Sequence, residues 1–352
     1  MKRVSYFLRP VIGLSIVVIS LLSGAAQAEV AYRLSAIEAP SDPGYYLSVI
    51  RLNNKGEVVG FVESNGIRAF HWKNGVYTDL SDALGLNSRE LEAVGINDRS
   101  VIVGNRGDGA PRTFRIRNNQ LRPINVSPGG DVAGVNGINN RNQVLGYSQG
   151  QPFIWFRGVT TYLDGLPGSD EFSNRANALN DFGVATGLSG TLDGQSAVIW
   201  KNGEIIVLDS PPGAIYTSGA DINNLEQVVG NGVDAAGQTR AYIWNDGVRT
   251  ALPAATTDAT NVGVAAINNW GVSVGTTSGP SGFVATLWIA GKAVDLNTLI
   301  DDDDPLHAAV TLSGALLIND RGQIVARGSN STTNRSYSYL LTPSYKPQSP
   351  EE

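Results

Sequence analysis

An all-β fold of seven like units is what this sequence predicts, and three observations predict it. A nine-residue segment recurs as LNNKGEVVG (52–60), INDRSVIVG (96–104), INNRNQVLG (138–146), LNDFGVATG (179–187), INNLEQVVG (222–230), INNWGVSVG (267–275) and INDRGQIVA (318–326). From the first Asn of one copy to the next the spacing is 44, 42, 41, 43, 45 and 51 residues, which accommodates four short strands and their turns. A second segment follows each copy: AFHWKNG (69–75), TFRIRNN (113–119), PFIWFRG (152–158), AVIWKNG (197–203), AYIWNDG (241–247), ATLWIAG (285–291) and a degenerate SYLLTP (338–343).

Each element follows from its residues. In the first segment an apolar residue ends one strand, an Asn/Asp-rich turn follows, and alternating Val and Ile begin the second strand. Asn53-Asn54-Lys55-Gly56 favours a type I turn closed by a residue in the left-handed conformation. Gly56, Gly183, Gly271 and Gly322 suit that position and Asn142 tolerates it, whereas Ser100 and Glu226 each cost about 1 kcal/mol there. The recurrent Asn is therefore read as turn chemistry and not as a ligand. The second segment is apolar on both faces, as a strand buried between two sheets requires. Trp72, Trp155, Trp200, Trp244 and Trp288 share one position in it and are expected in the core.

An Asn-Gly-type turn and a short fourth strand ending at Leu80, Ile124, Leu163, Leu208, Leu252 or Leu296 complete the unit. The last unit stops after its third strand, while AYRLSAIEAP (31–40) resembles a fourth strand that has no unit of its own. The two complete each other. The expectation is a single seven-bladed β-propeller over residues 29–343, closed by the N-terminal strand in the last blade.

The first 28 residues have a basic start (Lys2, Arg3, Arg9), an apolar stretch over 11–22 and a small-residue exit at Ala26-Gln27-Ala28. They are expected to be a secretory signal cleaved after Ala28, which places the protein in the periplasm or outside the cell. Residues 344–352 are expected to be a disordered tail. Without the signal, 23 basic residues face 32 acidic ones, a net charge of −9. That sign excludes non-specific nucleic-acid binding, and no apolar segment after residue 28 is suited to membrane insertion. The absence of cysteine excludes disulfides, thiol catalysis and thiolate metal sites. Arg99, Arg106, Arg112, Arg115, Arg117 and Arg122 crowd into one unit, as a solvated patch or as a patch that docks a partner.

The two recurring segments resemble the bacterial extracellular repeat proteins of the HAF type, whose units look like A-x-x-I-N-x-x-G-x-x-x-G followed by A-F-x-W-x-x-G. The resemblance covers residues 31–343, and DLNTLI (295–300) with LINDRGQIV and YLLTP is similar to that family's terminal unit. Ile116 at a Trp position, Ala326 at a Gly position and the aspartate run of the last unit depart from the pattern. The resemblance implies export and repeat architecture. It carries no catalytic residue.

The longer connections, after the second and fourth strands, emerge on one face, and function on a rigid scaffold concentrates in such loops. Asp42, Asp82, Glu90, Asp131, Asp164, Asp170, Glu171, Asp209, Asp258 and Asp301 through Asp304 make that face acidic. Candidate binding residues are Asp301, Asp302, Asp303, Asp304, His307, Asp170 and Glu171. The four consecutive Asp could supply oxygens to Ca²⁺, but they match no EF-hand or calcium β-helix pattern, so a solvated loop is the competing reading. His71 sits where other units carry Ile154, Ile199, Ile243 and Leu287, and is expected to be a packed, hydrogen-bonded core residue. His307 beside the aspartates could serve as an acid, a base or a metal ligand.

No G-x-S-x-G, H-E-x-x-H or G-x-x-x-x-G-K motif is present. The function expected is a non-catalytic binding scaffold that uses its acidic loop face on a protein, a polysaccharide or a cation. A propeller hydrolase or lyase acting on a polysaccharide or lactone is the alternative, and a structural component of a cell-surface or matrix assembly is a third.

Overall fold

The computed structural model describes residues 30–39, 46–63, 66–86, 90–107, 112–126, 133–169, 173–191 and 194–345. The expected signal peptide, Asp42, Asp131, Asp170, Glu171 and residues 346–352 lie outside them. Each unit is an antiparallel meander. In the first, Tyr46–Leu52, Val58–Glu63, Ile67–Lys73 and Val76–Asp79 pair in chain order. The same order repeats over 91–123, 133–162, 174–207, 216–251 and 261–295. Two of these meanders, 174–207 and 216–251, share one sheet through the parallel pair Gln195↔Tyr216.

The last meander draws on both ends of the described chain. Val310–Ile318, Ile324–Asn330 and Arg335–Tyr345 pair in sequence, and Val30–Ile37 adds antiparallel to Arg335–Tyr345, from Val30↔Tyr345 to Ile37↔Ser338. Ser344 and Tyr345, placed by the sequence in the tail, are thus strand residues.

The terminal glycine of the first segment has a steric cause. A Cβ at Gly60, Gly104, Gly146, Gly187, Gly230 or Gly275 would collide with the carbonyl oxygen of Ser48, Glu92, Gly134, Arg175, Ser218 or Gly263 across the pair. Beside that close approach every first strand carries a bulge, as between Val49 and Arg51 or Ala93 and Gly95, which twists it locally. Ala326 departs from the glycine pattern in the one unit whose first strand has a second bulge, between Ala315 and Leu317 as well as Leu312 and Gly314.

Apolar clusters lie between successive units. Val59, Ala69 and Leu80 pack with Leu91, Ile102, Phe114 and Ile116 of the next unit, and the same arrangement recurs at the following seams. The five recurrent Trp are buried there. Four also pin the seam by a hydrogen bond, the indole N–H of Trp155, Trp200, Trp244 and Trp288 donating to the carbonyl oxygen of Asn125, Asp164, Asp209 and Pro253 (3.2, 2.7, 2.8 and 2.7 Å). Each of those carbonyls follows the fourth strand of the preceding unit. No helix among the described residues is long and apolar enough to cross a membrane.

Candidate functional site

The first strands of the units lie nearest the molecular axis, and their turns meet at one end of it. The turns have the conformation expected, with Gly56, Ser100, Asn142, Gly183, Glu226, Gly271 and Gly322 all at positive φ between 55° and 84°. The first Asn of each turn does two things. Its Oδ1 accepts from the backbone N–H two and four residues on, as Asn53 does from Lys55 and Glu57 at 2.9 and 3.0 Å. Its Nδ2 donates to the carbonyl oxygen of the corresponding Asn in the next unit: Asn53 to Asn97, Asn97 to Asn139, Asn139 to Asn180, Asn180 to Asn223, Asn223 to Asn268, Asn268 to Asn319, and Asn319 back to Asn53, at 2.8–3.1 Å.

The second turn residue forms a further circuit inside this one. The backbone N–H of Asn54 donates to Oδ1 of Asp98, Asp98 to Asn140, Asn140 to Asp181, Asp181 to Asn224, Asn224 to Asn269, Asn269 to Asp320, and Asp320 to Asn54, at 2.7–2.9 Å. Side-chain amides reinforce it: Asn54 donates to both Asp98 and Asp320 at 3.0 Å, and Asn269 to Asp320 at 2.8 Å. The axial opening at this end is a cavity of about 200 Å³ lined by both circuits.

Behind the circuits the lumen carries charge. Arg51 donates to the carbonyl oxygens of Ile50 and Asn136, at 2.9 and 3.3 Å. Asp221 accepts from the N–H of Ile267 and Ile222, each at 2.9 Å. Burial pushes the Asp221 carboxyl up to about 6, against the two N–H donors and the charge of Arg51. Toward the opposite, loop-bearing end, a cavity of about 700 Å³ reaches Arg51 between units. Glu92, Asn105, Asn136, Tyr147, Arg175 and Asn177 face it. The Glu92 carboxyl is raised, chiefly by burial, with Asn105 opposing and Glu63 adding to the shift. Tyr147 lies half exposed over Gly134, where any side chain would collide with its ring.

The sequence-predicted aspartates divide into two pairs. Asp301 and Asp304 are buried, and Asp302 and Asp303 are exposed. The N–H of Leu34 donates to Asp304 Oδ2 at 2.7 Å, and the Asp301 N–H to the Tyr32 carbonyl at 2.9 Å. Asp301 also accepts from Ser344 at 3.2 Å and lies 3.4 Å from Arg33. This pair fastens the N-terminal strand. His307 Nε2 stands 3.7 Å from Asp302. Among the described residues no three acidic, His or Cys side chains are placed to hold a metal ion.

His71 differs from expectation. It packs in its strand slot, but its Nε2 lacks a hydrogen-bond partner and lies 4.0 Å from buried Glu57. Burial lowers its pKa. Glu57 accepts from Asn53 and Ser100, each at 2.7 Å, and meets Lys73 at 2.7 Å, which together hold its carboxyl down at about 2 against the opposing effect of burial.

The axial circuits and the loop-end cavity were not singled out by sequence reasoning. One signal was available: position two of all seven turns is Asn or Asp, although position three varies from Lys55 to Trp270. Arg51, Glu92 and Arg175 gave no signal, because they come from three different units and only the folded arrangement brings them to one cavity.

Fold and axial site together define a β-propeller. No family model matches the chain, and no curated protein matches it. Among solved structures it is similar to a puromycin-hydrolysing peptidase of Mycobacterium tuberculosis (14% identity, TM-score 0.55), covering 83% of this chain and 52% of that one. It is similar to the acylaminoacyl peptidase of Pyrococcus horikoshii (11%, TM-score 0.52; 85% and 52% covered). It is also similar to the β-propeller domain of the Trilobed protease from Pyrococcus furiosus, described as having an open velcro topology (10%, TM-score 0.51; 86% and 95% covered). The chain spans about half the length of the first two. At these identities the likeness is one of fold alone.

Proposed function

We propose that this protein is an exported, non-catalytic binding scaffold of the HAF-repeat type: a seven-bladed propeller, closed by Val30–Ile37, that holds a polar ligand at its loop-end cavity. The carrying observation is the cavity itself. It opens on the end with the longer connections, and Arg51, Glu92, Arg175, Asn136 and Asn177 offer donors and acceptors around one aromatic face, Tyr147. Cavities of this size and mixed lining bind small molecules or one segment of a larger partner. Against the hydrolase or lyase reading stands the use of the axial carboxylates: Asp98, Asp181 and Asp320 each accept backbone and side-chain amide hydrogen bonds within the circuit.

The test uses immobilised protein and its Tyr147→Ala/Arg175→Glu variant, exposed to envelope proteins and to cell-wall polysaccharide. The expected result is a species retained by the parent and released by the variant, with turnover of ester, lactone, glycoside and dipeptide substrates at buffer background. Turnover abolished by the same substitutions would replace the scaffold with an enzyme. Retention only through self-association, unaffected by the variant, would favour a structural component of an assembly.

A further inference from the structure

The loop end is not the only concave surface. At the turn end, the seam between the second and third meanders opens into a groove of about 460 Å³. Its cause lies in one residue. The strand position that packs across a seam is Ile154, Ile199, Ile243 or Leu287 in four other units and His71 in the first, and here it is Arg115. The cluster at this seam accordingly contains no side chain from that position. The floor left behind is Val101, Ile138, Val144 and Trp155, and five guanidinium groups surround it: Arg99, Arg115, Arg117, Arg141 and Arg157. Only three of these belong to the arginine-rich unit noted in the sequence; Arg141 and Arg157 come from the next one, and Arg106, Arg112 and Arg122 do not line the groove.

The way these arginines are held points to their ligand. Among the described residues no acidic side chain lines the groove, and none of the five arginines forms an ion pair. Aromatic rings position three of them instead. Arg115 lies over Trp155 at 5.9 Å, Arg141 over Phe182 at 4.8 Å and Arg157 over Phe156 at 5.1 Å. A guanidinium held over a ring keeps its full charge and its N–H groups, so it is available to a planar or tetrahedral oxyanion. A carboxylate partner would have consumed both.

The geometry points to this groove as a binding site for a short oligoanionic glycan, one carrying carboxylate or sulfate groups on successive sugars. Several cations over one aromatic-lined trough match repeated charges on a chain with flat apolar faces. The excess of negative charge elsewhere disfavours a long polyanion such as duplex DNA, whose phosphates extend beyond the groove. The site is separate from the loop-end cavity and does not depend on that reading.

The experiment is calorimetric titration of the full protein with trigalacturonate, a heparin-derived tetrasaccharide and neutral maltotriose, at low and at physiological salt. Binding of at least one charged probe is expected, weakening with salt, with no binding of maltotriose. Arg141→Gln/Arg157→Gln, both on exposed turns, should lower affinity at least tenfold with the thermal midpoint unchanged. Arg321→Gln, on the same end but outside the groove, should change it less than twofold and controls for loss of a positive charge at that end. The proposal is overturned by absence of binding to both charged probes, by equal binding of maltotriose, or by equal losses in Arg321→Gln. It is also overturned if vesicles containing phosphatidylglycerol or a DNA duplex bind more tightly than either glycan and lose that binding in the groove variant.

Discussion

Glu57 and Asp221 are carboxylates displaced in opposite directions, and each gives a pH signature. Glu57 is held near 2 by Asn53, Ser100 and Lys73, so its contribution is full above its unfolded value and is lost as pH falls from about 4.5 toward 2, an effect of about 3 kcal/mol. Asp221 is raised to about 6, so its contribution is full below its unfolded value and is lost as pH rises from about 4 through 6, again by about 3 kcal/mol. Denaturation at stepped pH should therefore find Asp221→Asn more stable than the parent at pH 7 and equal to it near pH 4. Glu57→Gln should remove the acid-side decline, and other units show that Gln is accommodated there, as Gln143, Gln227 and Gln323. Backbone strain is equally local. Ala290 is exposed at φ 50° in a turn where other units place Asn74, Asn202 or Asp246. Ala290→Gly should raise stability by about 1 kcal/mol, read from the urea midpoint at constant m.

At the scale of the hairpin, the turn and the Trp strand were the most legible features of the sequence, because both follow from composition within nine residues. The left-handed positions, Ser100 and Glu226 included, fall where the motif placed them. What local chemistry could not reveal is the second use of the first Asn. An Asx-turn requires only its Oδ1, so the donor that joins one unit to the next depends on a neighbour more than 40 residues away. Asn180→Asp isolates that role, since it preserves the acceptor and removes the donor. It should destabilise by about 2–3 kcal/mol at pH 7, having placed a charge against the carbonyl of Asn223. Loss of only a few tenths of a kcal/mol in chemical denaturation would show that the interunit bond is dispensable.

At the scale of the molecule, the all-β repeat character was legible in the recurring segments, and the pairing of Val30–Ile37 with Arg335–Tyr345 answers the mismatch between the two ends. The role of the aspartate run was not legible. Four adjacent carboxylates suggest a cation when read along the chain, but two turn inward, onto Tyr32, Leu34 and Ser344, only because Val30–Ile37 lies beside them. Asp301→Asn/Asp304→Asn should lower the thermal midpoint in EDTA, where no calcium is available to lose. If the midpoint falls only when calcium is present, the run serves a cation and not the strand.

The inner circuit has seven members, and seven is odd. Donor-bearing and acceptor-only side chains cannot alternate perfectly around an odd ring, so one like pair is unavoidable. Here the order is Asn54, Asp98, Asn140, Asp181, Asn224, Asn269, Asp320. The mismatch falls between Asn224 and Asn269, two neutral amides, and nowhere do two carboxylates stand side by side. A polygon with an even number of sides would have no such defect to place.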